Sequence, residues 1–146
     1  MPVDLDHERI SALLPHRHPM LLVDRVEAAV PGQSLEAIKT ISASEPCYAG
    51  ATGFDYPAGL LIESFGQAAA LLWLISNPSA AGGLPMFAAA RDCWIEARVR
   101  PGDVVRHLVR LEQVIDGAAF ASGESRVGPR RVAAFASLMA VIKPSK

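Results

Sequence analysis

A chain of 146 residues that is 51% hydrophobic is long enough for one substantial core and too apolar to stay disordered. Its formal charge of −1, with acids and bases interspersed, supplies no field of the kind nucleic acid requires and leaves short arginine-rich stretches only as docking spots for an acidic protein. Cys47 and Cys93 form no close metal-binding pair and fit reduced thiols of a cytoplasmic protein, while the acidic start "MPVDLDHERI" carries neither the basic end nor the apolar run of an export signal.

In chain order, Asp6 is placed to cap a short helix from His7 to Leu14, with Ile10, Leu13 and Leu14 on one apolar edge and Pro15 as the stop. "MLLVDRVEAAV" from Met20, the turn "PGQ" and "SLEAIKTISAS" then read as a hairpin of two strands. A long helix follows. Pro57 suits its first turn, and Asn77-Pro78 with "SAAGG" ends it. Beyond it, "LPMFAAARDCWIEARV", "DVVRHLVRLEQVI", "AAFASGESRV" and "RRVAAFASLMAVI" are strand-like runs separated by "RPGD", "DG" and "GPR".

The stretch from Phe54 to Ser76 is long enough to cross a bilayer, but Glu63 in its middle argues for a core helix in a soluble fold instead. No repeat, low-complexity tract or linker interrupts the chain, so residues 1–146 are expected to form a single domain. One antiparallel sheet must cover a helix that is apolar nearly all round, and a strongly curved sheet wrapped around it does so with least material. The expected class is α+β, in the layout called a hotdog.

Three segments carry a family resemblance. "LLPHRHPMLLVDRV" (Leu13 to Val26) resembles the opening signature of FabA/FabZ-type 3-hydroxyacyl-ACP dehydratases, "YPAGLLIESFGQA" resembles their Pro-Gly-apolar-Glu-Ala-x-Ala-Gln helix, and "VRPGDVV" (Val99 to Val105) resembles their Pro-Gly-Asp turn. The resemblance implies a hotdog that removes water from 3-hydroxyacyl chains carried on the phosphopantetheine arm of acyl carrier protein, with no cofactor. It further implies active sites at a dimer interface, a histidine from one subunit facing a helix carboxylate from the other. A base takes the proton beside the thioester and an acid protonates the departing hydroxyl. Glu63 falls on the position of that acid.

The histidine has no counterpart. The family's Gly-His-Phe-Pro-Gly segment corresponds to "EPCYAGATGFDYP", where Gly50 aligns but Ala51 or Thr52 takes the histidine's place and the loop is one residue shorter. Neither side chain is a base near neutrality. His16 and His18 in "PHRHP" read as structural rather than as metal ligands, His7 as exposed on the first helix, and His107 as a surface or sheet-packing residue rather than a relocated base.

Around Glu63, Gln67 stands one turn on, at a spacing that permits a hydrogen bond and a purely structural reading of the pair. Asp55 reads first as a helix cap, with acid or hydrogen-bonding work as the alternative it shares with Tyr56. The free N–H groups of Ala58 and Gly59 could polarise a thioester carbonyl. Arg98, Arg100, Arg106, Arg110, Arg130 and Arg131 are candidate contacts for the carrier protein or its phosphate, or else an ordinary solvated strand face.

Three functions compete at this level. A heteromeric dehydratase would take Glu63 from this subunit and the histidine from a partner hotdog, as in the partner-type hotdogs of aryl-polyene and highly reducing type II polyketide pathways that the chain resembles. A non-catalytic homodimer would bind or shield an acyl chain or its carrier protein, since acyl pockets are mostly apolar, or would stabilise an assembly. A homodimeric hydro-lyase or thioesterase would use Glu63 with Asp55 or Tyr56 assisting. A monomer is not expected, because edge strands leave backbone groups unpaired.

Overall fold

A computed structural model of the chain describes residues 3–78, 84–115 and 117–143. The first helix, α1 (His7–Leu13), starts where Asp6 accepts a hydrogen bond from the Arg9 N–H at 2.9 Å. It ends one residue short of the expected boundary, because Leu14 turns to extended backbone ahead of Pro15 and serves as the C-cap. Ile10 and Leu14 bury fully against the rest of the core, while His7 is exposed.

The hairpin consists of β1 (Arg25–Val30) and β2 (Ser34–Thr40), paired antiparallel. Both expected strands were longer. Residues 20–24 stay outside the sheet because side chains of the long helix take the backbone groups of Met20 and Leu22. Past Thr40 the chain turns, with the Ser42 N–H donating to Glu45, and forms a single 3-10 turn over Pro46–Tyr48.

The long helix, α2 (Ala58–Ser76), has Pro57 as its N-cap and Asn77 as its C-cap. Leu61 and every residue from Ser64 to Leu74 are buried, which is the burial of a core helix and answers the bilayer alternative in kind. At its far end the Ser76 hydroxyl donates to Leu72 O and accepts from the Gly32 N–H in the β1–β2 turn, both at 2.6 Å. The "SAAGG" stretch at 79–83 lies outside the described residues.

The remaining strands, β3 (Leu84–Ile95), β4 (Val104–Ile115), β5 (Ala118–Val127) and β6 (Arg130–Lys143), follow the expected runs closely. Only β3 stops early, since the N–H groups of Glu96 and Ala97 both turn to Val132 O and Val99 O instead accepts from Tyr56 N. All pairings are antiparallel, in the order β1-β2-β4-β5-β6-β3.

Bulges in several of these pairings bend and coil the sheet, which is how one layer can wrap a helix. Gly123 marks the tightest point: with φ +154, a Cβ there would lie 1.9 Å from Leu108 O. The missing side chain also lets Phe65 of α2 approach the sheet and stack on Phe135, with centroids 3.9 Å apart. The result is the hotdog layout expected from the order of elements.

Candidate functional site

Glu63 leaves α2 where the helix begins to be covered, half-buried, immediately before the fully enclosed Ser64. Gln67 sits one turn on and uses its whole amide. Its Oε1 accepts from Leu22 N at 2.8 Å, and its Nε2 donates to Met20 O at 2.8 Å and to Glu63 Oε2 at 3.2 Å. One side chain therefore docks the extended segment Met20–Leu22 on the helix and steadies the carboxylate.

Beneath Glu63 lies a second polar constellation that sequence reasoning did not assemble. Ser64 Oγ donates to Leu22 O at 2.6 Å and contacts His107 Nε2 at 2.8 Å, while His107 Nδ1 meets Ser125 Oγ at 2.7 Å. Ser64, His107 and Ser125 are fully buried, and Phe65 meets the imidazole edge-on at 5.7 Å. Burial drives the His107 pKa down to about 3, so the ring is neutral at ordinary pH. The sheet-packing reading of His107 holds, and a relocated base is ruled out because both nitrogens are engaged and enclosed. The available signal was the inward parity of His107 and Ser125 in their strands, but the meeting with Ser64 depends on the β4–β5 register, which pairs His107 with Ser125.

At the mouth of α2 the arrangement differs. Asp55 is no cap: Pro57 holds that place, no side chain caps the helix, and the Asp55 carboxylate turns outward to Arg100 at 3.2 Å and Arg98 at 3.6 Å. The two guanidiniums outcompete the helix amides for it. Intrahelical bonding starts with Leu60 and Leu61 donating to Pro57 O, which leaves the Ala58 and Gly59 N–H groups ahead of the first bond. Ala58 and Gly59 are both exposed, and a Cβ on Gly59 would meet nothing within 4 Å.

Tyr56 is buried and lines a depression of about 320 Å³ together with Asp55, Leu61, Ala97, Arg98 and Val99. Its hydroxyl and that of Tyr48, whose ring lies 6.5 Å away, are both buried with no hydrogen-bond partner among the described residues. Burial, then the nearby Cys47 and Glu45, push the Tyr48 phenol up to about 12, and burial with Glu45 raises Tyr56 as well, so both stay protonated donors. Behind them a buried Lys39 pairs with Glu45 at 2.9 Å. The loop from Gly50 to Asp55 is exposed throughout, with Ala51 and Thr52 at its tip and Phe54 half open to solvent.

The sequence candidates thus fall into two groups. Glu63 and Gln67 are in contact, whereas Asp55 and Tyr56 share a depression whose lining does not include Glu63. The arginines are largely engaged within the chain: Arg106 with Glu27, Arg131 bidentate with Glu96, Arg98 and Arg100 with Asp55, and Arg130 with Arg98 O. Four of the six are ion-paired to a carboxylate within the chain, so they are not a bare basic patch.

No family model matches the chain. It is 35% identical over 144 residues, covering 97% of this chain and 99% of the relative, to the 3-hydroxyacyl-[acyl-carrier-protein] dehydratase FabZ of Chloroflexus aggregans. The protein of the same name from Symbiobacterium thermophilum is 36% identical over 118 residues, 80% of this chain and 82% of the relative. Among solved structures, the dehydratase heterocomplex ApeI:P from Xenorhabdus doucetiae superposes with a TM-score of 0.76 at 20% identity, over 94% of this chain and 91% of that one, a likeness of fold.

Proposed function

The chain belongs to the FabZ family of 3-hydroxyacyl-[acyl-carrier-protein] dehydratases, and from that premise we propose that it is one subunit of a heteromeric dehydratase whose catalytic histidine comes from a partner hotdog. The substrate is a 3-hydroxyacyl thioester on the arm of acyl carrier protein. The partner's imidazole removes the proton next to the thioester, Glu63 protonates the leaving hydroxyl, and a carbon–carbon double bond and water result. The amides of Ala58 and Gly59 hold the thioester oxygen as charge builds on it, and no cofactor is required. Arg98 and Arg100 flank the mouth where an acidic carrier would dock.

The observation that carries this reading is a pairing of presence and absence. Glu63 is held ready by Gln67 at the half-open end of an otherwise buried helix, yet the loop from Gly50 to Asp55 offers no imidazole and His107 is locked in the interior. Association is supported by β3, an edge strand of the sheet that leaves Trp94 53% and Ile95 42% exposed. That one solved structure of this fold is a dehydratase heterocomplex supports unlike subunits. We further place the protein in the cytoplasm.

The test mixes the purified chain with a hotdog that carries an intact Gly-His-Phe-Pro-Gly segment and follows water loss from a 3-hydroxyacyl-ACP. Activity in the mixture that disappears with Glu63→Gln is expected. Activity indifferent to that substitution sinks the reading. Carrier binding without turnover in every mixture would favour the shielding homodimer, and thioester hydrolysis by the chain alone would favour the homodimeric hydrolase.

A further inference from the structure

His107 is a buried ionisable group to which the proposed chemistry assigns no task, and its hydrogen bonds have a determinable direction. Ser64 has one hydroxyl proton and gives it to Leu22 O, so Ser64 Oγ can only accept from His107 Nε2. The ring is therefore the Nε2–H tautomer, and Nδ1 accepts the proton of Ser125. A single donor chain runs from β5 through the β4 imidazole to α2 and ends on the segment that Gln67 also grips.

Ser64 and Gln67 are three positions apart, hence on one face of the helix, and both hold Met20–Leu22. Two anchors on one face fix how far α2 is rotated and advanced along its axis. Glu63 directly precedes the first anchor and bonds the second. Satisfying the network in a desolvated interior demands tight geometry, whereas an apolar trio in the same place would pack with looser angular control.

We propose that His107 is a positioning residue for Glu63, acting as a neutral spacer that sets the orientation of the helix turn through Ser64 and Leu22. The assignment of Glu63 as the acid rests on the heteromeric dehydratase reading, but the spacer itself can be read without turnover.

The experiment compares His107→Leu, His107→Gln and the milder Ser64→Ala in the full chain. Imidazole nitrogen NMR of the unaltered protein should show one histidine as the Nε2–H tautomer that does not titrate between roughly pH 5 and 8. A titrating ring, or the opposite tautomer, overturns the proposal. Hydrogen exchange should rise about tenfold at Leu22 N in His107→Leu and in Ser64→Ala, while the amides of the β4–β5 ladder keep their protection. Gln, which retains an Nε2 donor at similar reach, should restore most of the protection. Uniform loosening of the sheet, or no change at Leu22, reduces His107 to packing. In the assembled enzyme the same variants should lower kcat by roughly tenfold or more with KM nearly unchanged. If Glu63→Gln is active while the exchange pattern appears, the dehydratase reading fails and the spacer stands. If Glu63→Gln is inactive and the kcat of His107→Leu is normal, the positioning role fails alone.

Discussion

The inner and outer ends of the helix turn around Glu63 make opposite uses of polar atoms. Inward, Ser64, His107, Ser125 and Gln67 match donor to acceptor within 2.8 Å at every contact they make to one another and to Met20 and Leu22. Toward the mouth, the hydroxyls of Tyr48 and Tyr56 are buried with no partner among the described residues, and the amides of Ala58 and Gly59 precede the first intrahelical bond. Unmatched buried donors cost stability, so a fold keeps them where something else supplies the acceptor or where water fills the gap. The inner end completes its own hydrogen bonds and the outer end does not.

The sharpest way to break this contrast is at Glu63 itself. Glu63→Gln should lower the rate of the assembled dehydratase about 10²- to 10⁴-fold while thermal unfolding of the chain hardly moves. A large loss of stability instead would make the carboxylate part of the finished interior.

Next in size is the response to acid. Folding holds His107 neutral down to about pH 3, whereas the unfolded imidazole binds a proton below its ordinary 6.5. The unfolded state therefore holds more protons in that window, and stability is full above about pH 6.5 and falls as pH drops, with a limiting slope of about 1.4 kcal/mol per unit from this group. Urea unfolding at a series of pH values should show the slope, and His107→Leu should flatten it.

Gly123→Ala tests the packing that brings the inner end together, because Phe65 lies over that glycine and a methyl would collide with Leu108 O. A loss of about 3 kcal/mol is expected from the urea midpoint, placing this among the severe single substitutions. A near-neutral result would mean that the bulge can relax and that the close approach of Phe65 is not enforced.

The smallest effect has the most telling sign. Tyr48→Phe and Tyr56→Phe remove hydroxyls that have no partner among the described residues, so each should raise the stability of the isolated chain by up to about 1 kcal/mol in thermal or urea unfolding. Destabilisation by either would mean that the phenol already has a partner, and the contrast between the two ends would shrink.

Much of the architecture was legible because it follows from patterns that local physics imposes. Pro57 and Asn77 bracket α2, with Pro57 at the N-cap and not in the first turn as expected, and the Pro-Gly and Gly turns bound four later strands within a few positions. The strand starting at Met20 misled because "MLLV" has strand composition, and the preference of its backbone for Ser64 and Gln67, more than 40 residues away, has no local trace. Glu63 and Gln67 could be paired from spacing alone, and the Glu63–Gln67 bond is present. Asp55 misled in the opposite way. A carboxylate near the start of a helix has the composition of a cap, but Asp55 lies two residues ahead of the N-cap Pro57 and its carboxylate meets Arg98 and Arg100 instead. The His107 network needed the register of two strands and the rotation of the helix at once, which no single segment encodes.

The Ser76 hydroxyl, wedged between Leu72 O and the turn at Gly32, ties the tail of the central helix to the first hairpin. Since Ser64 and Gln67 fasten the same helix to the approach to β1, that hairpin and the helix are expected to melt as one cooperative unit. β1 and β3 each have one neighbour in the sheet, but only β1 belongs to the hairpin tied to the helix, so limited proteolysis under mild denaturant is expected to cut first in β3 and later in the helix.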